Sequence, residues 1–113
     1  MTRGDIVYVH FEHGQSVGSE WMYDRPAIIV SNDICNKRSP VVEVVYTTTS
    51  RRKHLLPTHV ILKSTPYVSV ALCESIYSVD KSRIKRTLGR CSPKELRRIN
   101  NALVISLDLK GVI

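Results

Sequence analysis

Residues 18–33 read GSEWMYDRPAIIVSND, and within them Arg25 stands where a polar, glycine-containing loop turns into the apolar run 27–30. A guanidinium is a planar fork of donors that matches the oxygens of a phosphate. Pro26 biases Arg25 toward an extended backbone, and a buried strand after it fixes where the side chain begins. An arginine held in this way is preorganised to stabilise charge on a phosphoryl group. On the residues alone the favoured reading is a strand-end arginine paired with Asp24 or Glu20. Thr47, Thr48 and Thr49 place three hydroxyls in a row, although threonines are also good strand material. His10, His13, His54 and His59 are scattered, and gathering them into a metal site is the minority reading against surface or loop histidines.

The charge supports a polyanionic partner. Net charge is +7, from 17 Lys and Arg against 10 Asp and Glu. Between residues 81 and 98 stand eight basic residues, Lys81, Arg83, Lys85, Arg86, Arg90, Lys94, Arg97 and Arg98, against the single acid Glu95. A second group, Arg51, Arg52 and Lys53, lies mid-chain. Such clustering fits nucleic acid or an acidic protein segment, with a solvated basic face as the alternative.

Several classes are disfavoured. Cys35, Cys73 and Cys91 are odd in number and widely spaced, with no Cys-x-x-Cys pair, so neither a zinc site nor a disulfide framework is expected. Apolar runs such as 27–30 are far shorter than the roughly 20 residues that span a bilayer. The opening MTRGD lacks the apolar core of a signal peptide, so a cytoplasmic protein with no membrane association is expected. At 113 residues, one domain over 1–113 is expected.

Strands are expected at 5–11, 27–30, 41–46, 58–62 and 69–76, from their β-branched and aromatic content. Loops 12–24 and 47–57 are long for a compact domain and become candidate functional loops. Asp80 can cap a short helical turn in SVDKSRI. Ser92, Pro93 and Glu95 spell a helix start with a capping box. Leu96, Ile99, Leu103 and Leu107 then recur on one face, with Gly111 as a stop. The fold class is α+β, mainly β: a small barrel or coiled sheet with one amphipathic helix across it. Exposed edges of so small a sheet favour a homodimer.

RGDIVYV near the start, GSE followed by RPAIIVSND, the N-x-x-SPVV step at 36–42, LPTHV at 56–60, and SVALCESI followed by SVDKSRI together resemble the MazF/PemK family of bacterial toxin endoribonucleases. Order and spacing match over about residues 3–109. The resemblance implies an SH3-like barrel, a homodimer, and metal-independent cleavage of single-stranded RNA without a cofactor. It also implies a cognate antitoxin whose acidic segment covers the RNA groove.

The catalytic pair implied by the resemblance falls on Arg25 and Thr48, with Thr47 and Thr49 as neighbours that can be mistaken for Thr48. RNA binding is expected at Ser19, Glu20, Trp21, Asn32, Arg51, Arg52, Lys53, Pro57, Thr58 and His59. Trp21 stands where many relatives carry glutamine; an indole stacks on a base, or else covers the barrel end. Arginine is a poor general base, so the base is another group or a water; His59 and Glu20 are candidates, with RNA binding or loop support as their alternative roles. Two rival readings remain: a toxin of similar architecture that poisons DNA gyrase without cleaving RNA, and a nucleic-acid-binding module. The first uses a C-terminal tryptophan, whereas the only tryptophan here is Trp21.

Overall fold

The computed structural model describes residues 1–10, 24–50 and 56–110. In chain order the elements are β1 (Asp5–Val9), β2 (Arg25–Ile29), α1 (Asp33–Arg38), β3 (Val41–Thr48), β4 (His59–Leu62), β5 (Ser69–Asp80), a 3-10 turn (Lys81–Arg83), β6 (Ile84–Arg90) and α2 (Pro93–Ser106). The six strands form one antiparallel sheet in the order β4-β5-β3-β2-β1-β6.

This order forces the sheet to curl. β5 and β6 stand four places apart across the sheet, about 19 Å if it were flat. The chain from Asp80 to Ile84 reaches at most about 14 Å. Curling closes the gap and brings Val79 of β5 and the half-buried Ile84 of β6 into one apolar cluster with Val7, Val9, Ala27, Ile29, Val42, Val44 and Tyr46. The alternate side chains of the same strands, Ile6, Ile28 and Val45, point to the opposite face. There they meet Val60, Leu62, Ala71 and Cys73, and Ile99 and Ala102 of α2 close over them. The mainly-β class with a C-terminal helix is therefore as expected, and the period-two alternation of β1 to β3 is what feeds two cores at once.

Helix α2 begins as its sequence spells. The Ser92 hydroxyl accepts from the Glu95 amide, and Glu95 Oε1 accepts from the Ser92 amide at 2.8 Å. Its end differs from expectation. Leu107 is the C-cap and is 54% exposed rather than packed, and the left-handed turn is made by Asp108 at φ +49°. Gly111 lies outside the described residues. At the other end of the fold Gly4 adopts φ +94° beneath Leu96, where a Cβ would come within 3.3 Å of that side chain. Glycine alone satisfies both conditions there.

β3 runs to Thr48, so Thr47 and Thr48 stand on a strand rather than in the loop expected from residue 47, and three further elements depart from the sequence expectation. β6 is an additional strand, α1 replaces part of a connection, and β5 runs on to Asp80 rather than stopping at residue 76. The expected short turn is present, with Asp80 Oδ1 accepting from the Ser82 amide at 2.9 Å.

Of the three thiols, Cys35 is exposed, whereas Cys73 and Cys91 are buried. Burial, reinforced by Glu74 at Cys73 and by Glu95 at Cys91, pushes both thiols up to about 12. Since the thiolate is the reactive species, iodoacetamide at pH 8 is expected to label Cys35 alone in the folded protein and all three after denaturation. Native labelling of Cys73 or Cys91, read by mass spectrometry, contradicts this packing.

Candidate active site

Strand register brings Arg25 and Thr48 together. Ala27 pairs with Tyr46 across β2 and β3, which brings the start of β2 to the end of β3, where an Arg25 terminal nitrogen lies 3.4 Å from the Thr47 carbonyl. Arg25 and Thr48 line one cavity of about 240 Å³, alongside Asp24, Pro26, Thr47 and Thr49. Thr65, Pro66, Tyr67 and Ser69, from the β4–β5 connection and the start of β5, complete the lining.

The three threonines separate by role. Thr47 is buried and its hydroxyl donates to the Pro26 carbonyl at 2.9 Å, tying β3 to β2 beside the arginine. Thr49 is exposed at the strand end. Thr48 is half-buried, and its hydroxyl oxygen accepts from the Ser50 amide at 3.2 Å. That contact orients the oxygen and leaves its proton to donate. Arg25 is also half-buried, with one terminal nitrogen 3.4 Å from the Thr47 carbonyl. Next to it, Asp24 is held by His10 Nδ1 at 3.0 Å. A guanidinium and a hydroxyl on adjacent rigid strands, facing one concave space, can bind and polarise a phosphoryl group.

The remaining expected residues divide into three groups. Ser19, Glu20, Trp21, Arg51, Arg52 and Lys53 lie outside the described residues. Asn32 caps α1, its side-chain oxygen accepting from the Cys35 amide at 2.9 Å. Pro57, Thr58 and His59 fall together at the start of β4, where Pro57 and His59 line a separate groove with Ile61, Arg98, Asn101 and Ile105. His59 is thus apart from the Arg25–Thr48 cavity. Its side chain is fully buried, and Nε2 lies 2.8 Å from Glu74 Oε2. Thr58 donates to the other Glu74 oxygen at 2.8 Å.

Glu74, which the sequence did not single out, holds both Thr58 and His59 through its carboxylate. Desolvation would push its carboxyl up, but the hydrogen bonds from His59 and Thr58 and the contact of its own backbone outweigh it and hold it below the usual range. An ionised Glu74 can only accept, so His59 Nε2 carries the proton and Nδ1 is left buried without a partner among the described residues. Among the described residues no three His, Cys, Asp or Glu side chains group as metal ligands. None of their helices is long and apolar enough to cross a membrane.

A family model for PemK-like, MazF-like toxins of type II toxin–antitoxin systems matches residues 2–107. The chain belongs to this family. It is 40% identical to an endoribonuclease MazF of Staphylococcus saprophyticus, over 99% of this chain and 95% of that protein. A MazF endoribonuclease of Staphylococcus epidermidis is 39% identical over 96% of this chain and 92% of its own length. Among solved structures, a mycobacterial endoribonuclease in complex with its cognate antitoxin superimposes with a TM-score of 0.80 at 27% identity, covering 99% of both chains. MazF from Deinococcus radiodurans superimposes with a TM-score of 0.81 at 21% identity, over 96% of this chain and 97% of that one, a likeness of fold.

Proposed function

We propose that this protein is the toxin of a type II toxin–antitoxin pair and acts in the cytoplasm as a sequence-specific endoribonuclease on single-stranded RNA. The observation that carries the reading is the convergence of Arg25 and Thr48 on one cavity, in a chain 40% identical to a MazF endoribonuclease. Metal-free cleavage uses the 2′-OH of the RNA as nucleophile on the adjacent phosphorus. The bond to the 5′ oxygen breaks, leaving a 2′,3′-cyclic phosphate and a 5′-OH end. Charge builds on the non-bridging oxygens as the phosphorane forms, and donors already in place there lower the barrier. Arg25 supplies two or more charged donors, and Thr48 one neutral donor. A guanidinium stays protonated at neutral pH and is a poor general base, so Arg25 is not assigned to proton abstraction.

The Pro57–Thr58–His59 corner with Glu74 is assigned to nucleotides flanking the cut. Arg51, Arg52, Lys53, Ser19, Glu20, Trp21 and Asn32 are proposed as further RNA contacts by resemblance. The net +7 suits both RNA and the acidic segment of an antitoxin. Exposed Ile105, Leu107 and Leu109 near the end of α2, with Leu56 and Ile61, offer apolar surface for a second copy and for the antitoxin.

Thr48 tests the chemistry. Thr48→Val, which keeps the shape and removes the hydroxyl, is expected to lower kcat by about 10²-fold, the effect of losing one transition-state donor. Thr48→Ser is expected to stay within about tenfold of the wild type. The assay is cleavage of a single-stranded RNA with end-group analysis of the products. Equal activity in Thr48→Val removes the residue from the mechanism.

A further inference from the structure

Tyr67 is the most exposed large hydrophobic side chain among the described residues, at 77%, and it lines the cavity that holds Arg25 and Thr48. An exposed aromatic ring at the edge of a mostly apolar cavity offers a flat face on which a further flat group can settle. The loop beneath it is built rather than slack. Pro66 fixes its own φ and keeps Thr65 extended. Thr65 is buried, and its hydroxyl donates to the Tyr67 carbonyl and accepts from Ser69 Oγ at 2.8 Å. Before it, the amides of Lys63 and Ser64 both donate to Glu95 Oε2, at 2.7 and 3.3 Å. After it, Ser69 is locked into the β4–β5 ladder opposite Leu62.

We infer that Tyr67 is a stacking platform for one unpaired base next to the scissile phosphate, on the part of the cavity lining that the β4–β5 connection supplies. The inference rests on the endoribonuclease reading and deepens it by naming a nucleotide subsite. Recognition of single-stranded RNA works by splaying bases onto aromatic faces while cations hold the backbone. A phosphate held by Arg25 and Thr48 leaves its neighbouring base at the cavity rim, where the Tyr67 ring stands. The ring is presented by a loop already clamped at both ends, so little order is lost when a base settles on it. The phenol hydroxyl is not needed for this role; the flat face is.

The test begins by mapping the cleavage site on a long RNA. Each base flanking it in a short RNA is then replaced in turn by an abasic ribose, and kcat/KM is measured for wild type, Tyr67→Ala, Tyr67→Phe and Tyr67→Leu. Tyr67→Ala is expected to lower kcat/KM by about 10- to 100-fold, with Tyr67→Phe near wild type and Tyr67→Leu not rescued. At one flanking position the abasic RNA should be cut by the wild type as slowly as the intact RNA is cut by Tyr67→Ala. The two changes together should cost no more than either alone. A loosened loop would slow all RNAs equally and show no such coupling. An unchanged abasic profile in Tyr67→Ala overturns the inference, and does so too if that variant shifts only the sedimentation coefficient, which makes the ring a protein contact. Absence of cutting by the folded wild type overturns the endoribonuclease reading and the subsite with it.

Discussion

Arg25→Ala is expected to lower the rate of RNA cleavage by about a thousandfold while the protein stays folded. Removing one preorganised donor typically costs about 10² to 10³ in kcat, and an arginine serving a phosphoryl transition state about 10³ or more. Arg25 meets the conditions for the upper figure. Its backbone is extended by Pro26, its strand is hydrogen-bonded on both sides to β1 and β3, and its side chain is half-buried against the Thr47 carbonyl. Arg25→Lys keeps the charge but replaces a fork with a point, so it should recover only part of the loss. Because the substitution falls at the first residue of β2 and outside both apolar clusters, the melting temperature should move by a few degrees at most. Near-normal cleavage by Arg25→Ala would remove the arginine from the chemistry.

Glu95→Gln is expected to destabilise the fold by about 3 kcal/mol. One buried carboxylate gathers four donors: the amides of Lys63, Ser64 and Ser92, and the Ser64 hydroxyl. Burial alone would raise its pKa. The hydrogen bonds outweigh burial and bring it down from 4.5 to about 2, a shift of roughly 3 kcal/mol in favour of the folded, ionised form. A pKa depressed in the folded state contributes stability that is complete above the unfolded value and is lost as pH falls toward the folded one. The stability gap between wild type and Glu95→Gln, measured by urea unfolding, should therefore be full at pH 7 and shrink as pH drops from about 4.5 toward 2. A gap independent of pH in that window contradicts the network. The same carboxylate anchors the loop that carries Thr65 and Tyr67, so it links the first turn of α2 to the cavity wall.

Local rules were the most legible part of the sequence. Ser92, Pro93 and Glu95 form the expected capping box because every partner lies within one helical turn. Asp80 caps its short turn for the same reason. β6 was missed because IKRTLGR carries no clean alternation: it is an outer strand, with Lys85, Arg86 and Thr87 exposed and only Ile84, Leu88 and Gly89 half-buried. α1 is six residues long, too short for a periodic signal, although Asn32 before Asp33 was a readable cap.

The site follows the same division. Arg25 was legible through its proline and the strand after it, and Thr48 through family resemblance. What separates Thr48 from Thr47 is a hydrogen bond to Pro26, 21 positions away in the chain, which no local pattern reveals. Glu74 and Tyr67 join their sites through the β4–β5 pairing, in which His59 meets Leu72 and Leu62 meets Ser69. Their roles depend on non-local register, so each looked like an ordinary strand or loop residue.

Cleavage chemistry built on Arg25 and Thr48 is tested most directly by incubating the purified protein with a long single-stranded RNA in excess EDTA, beside Arg25→Ala, and mapping the 5′ ends. Discrete cuts with 5′-OH ends that persist in EDTA and vanish in the variant are the predicted result. Intact RNA from folded wild-type protein, cuts abolished by EDTA, or the same cuts in Arg25→Ala would contradict it.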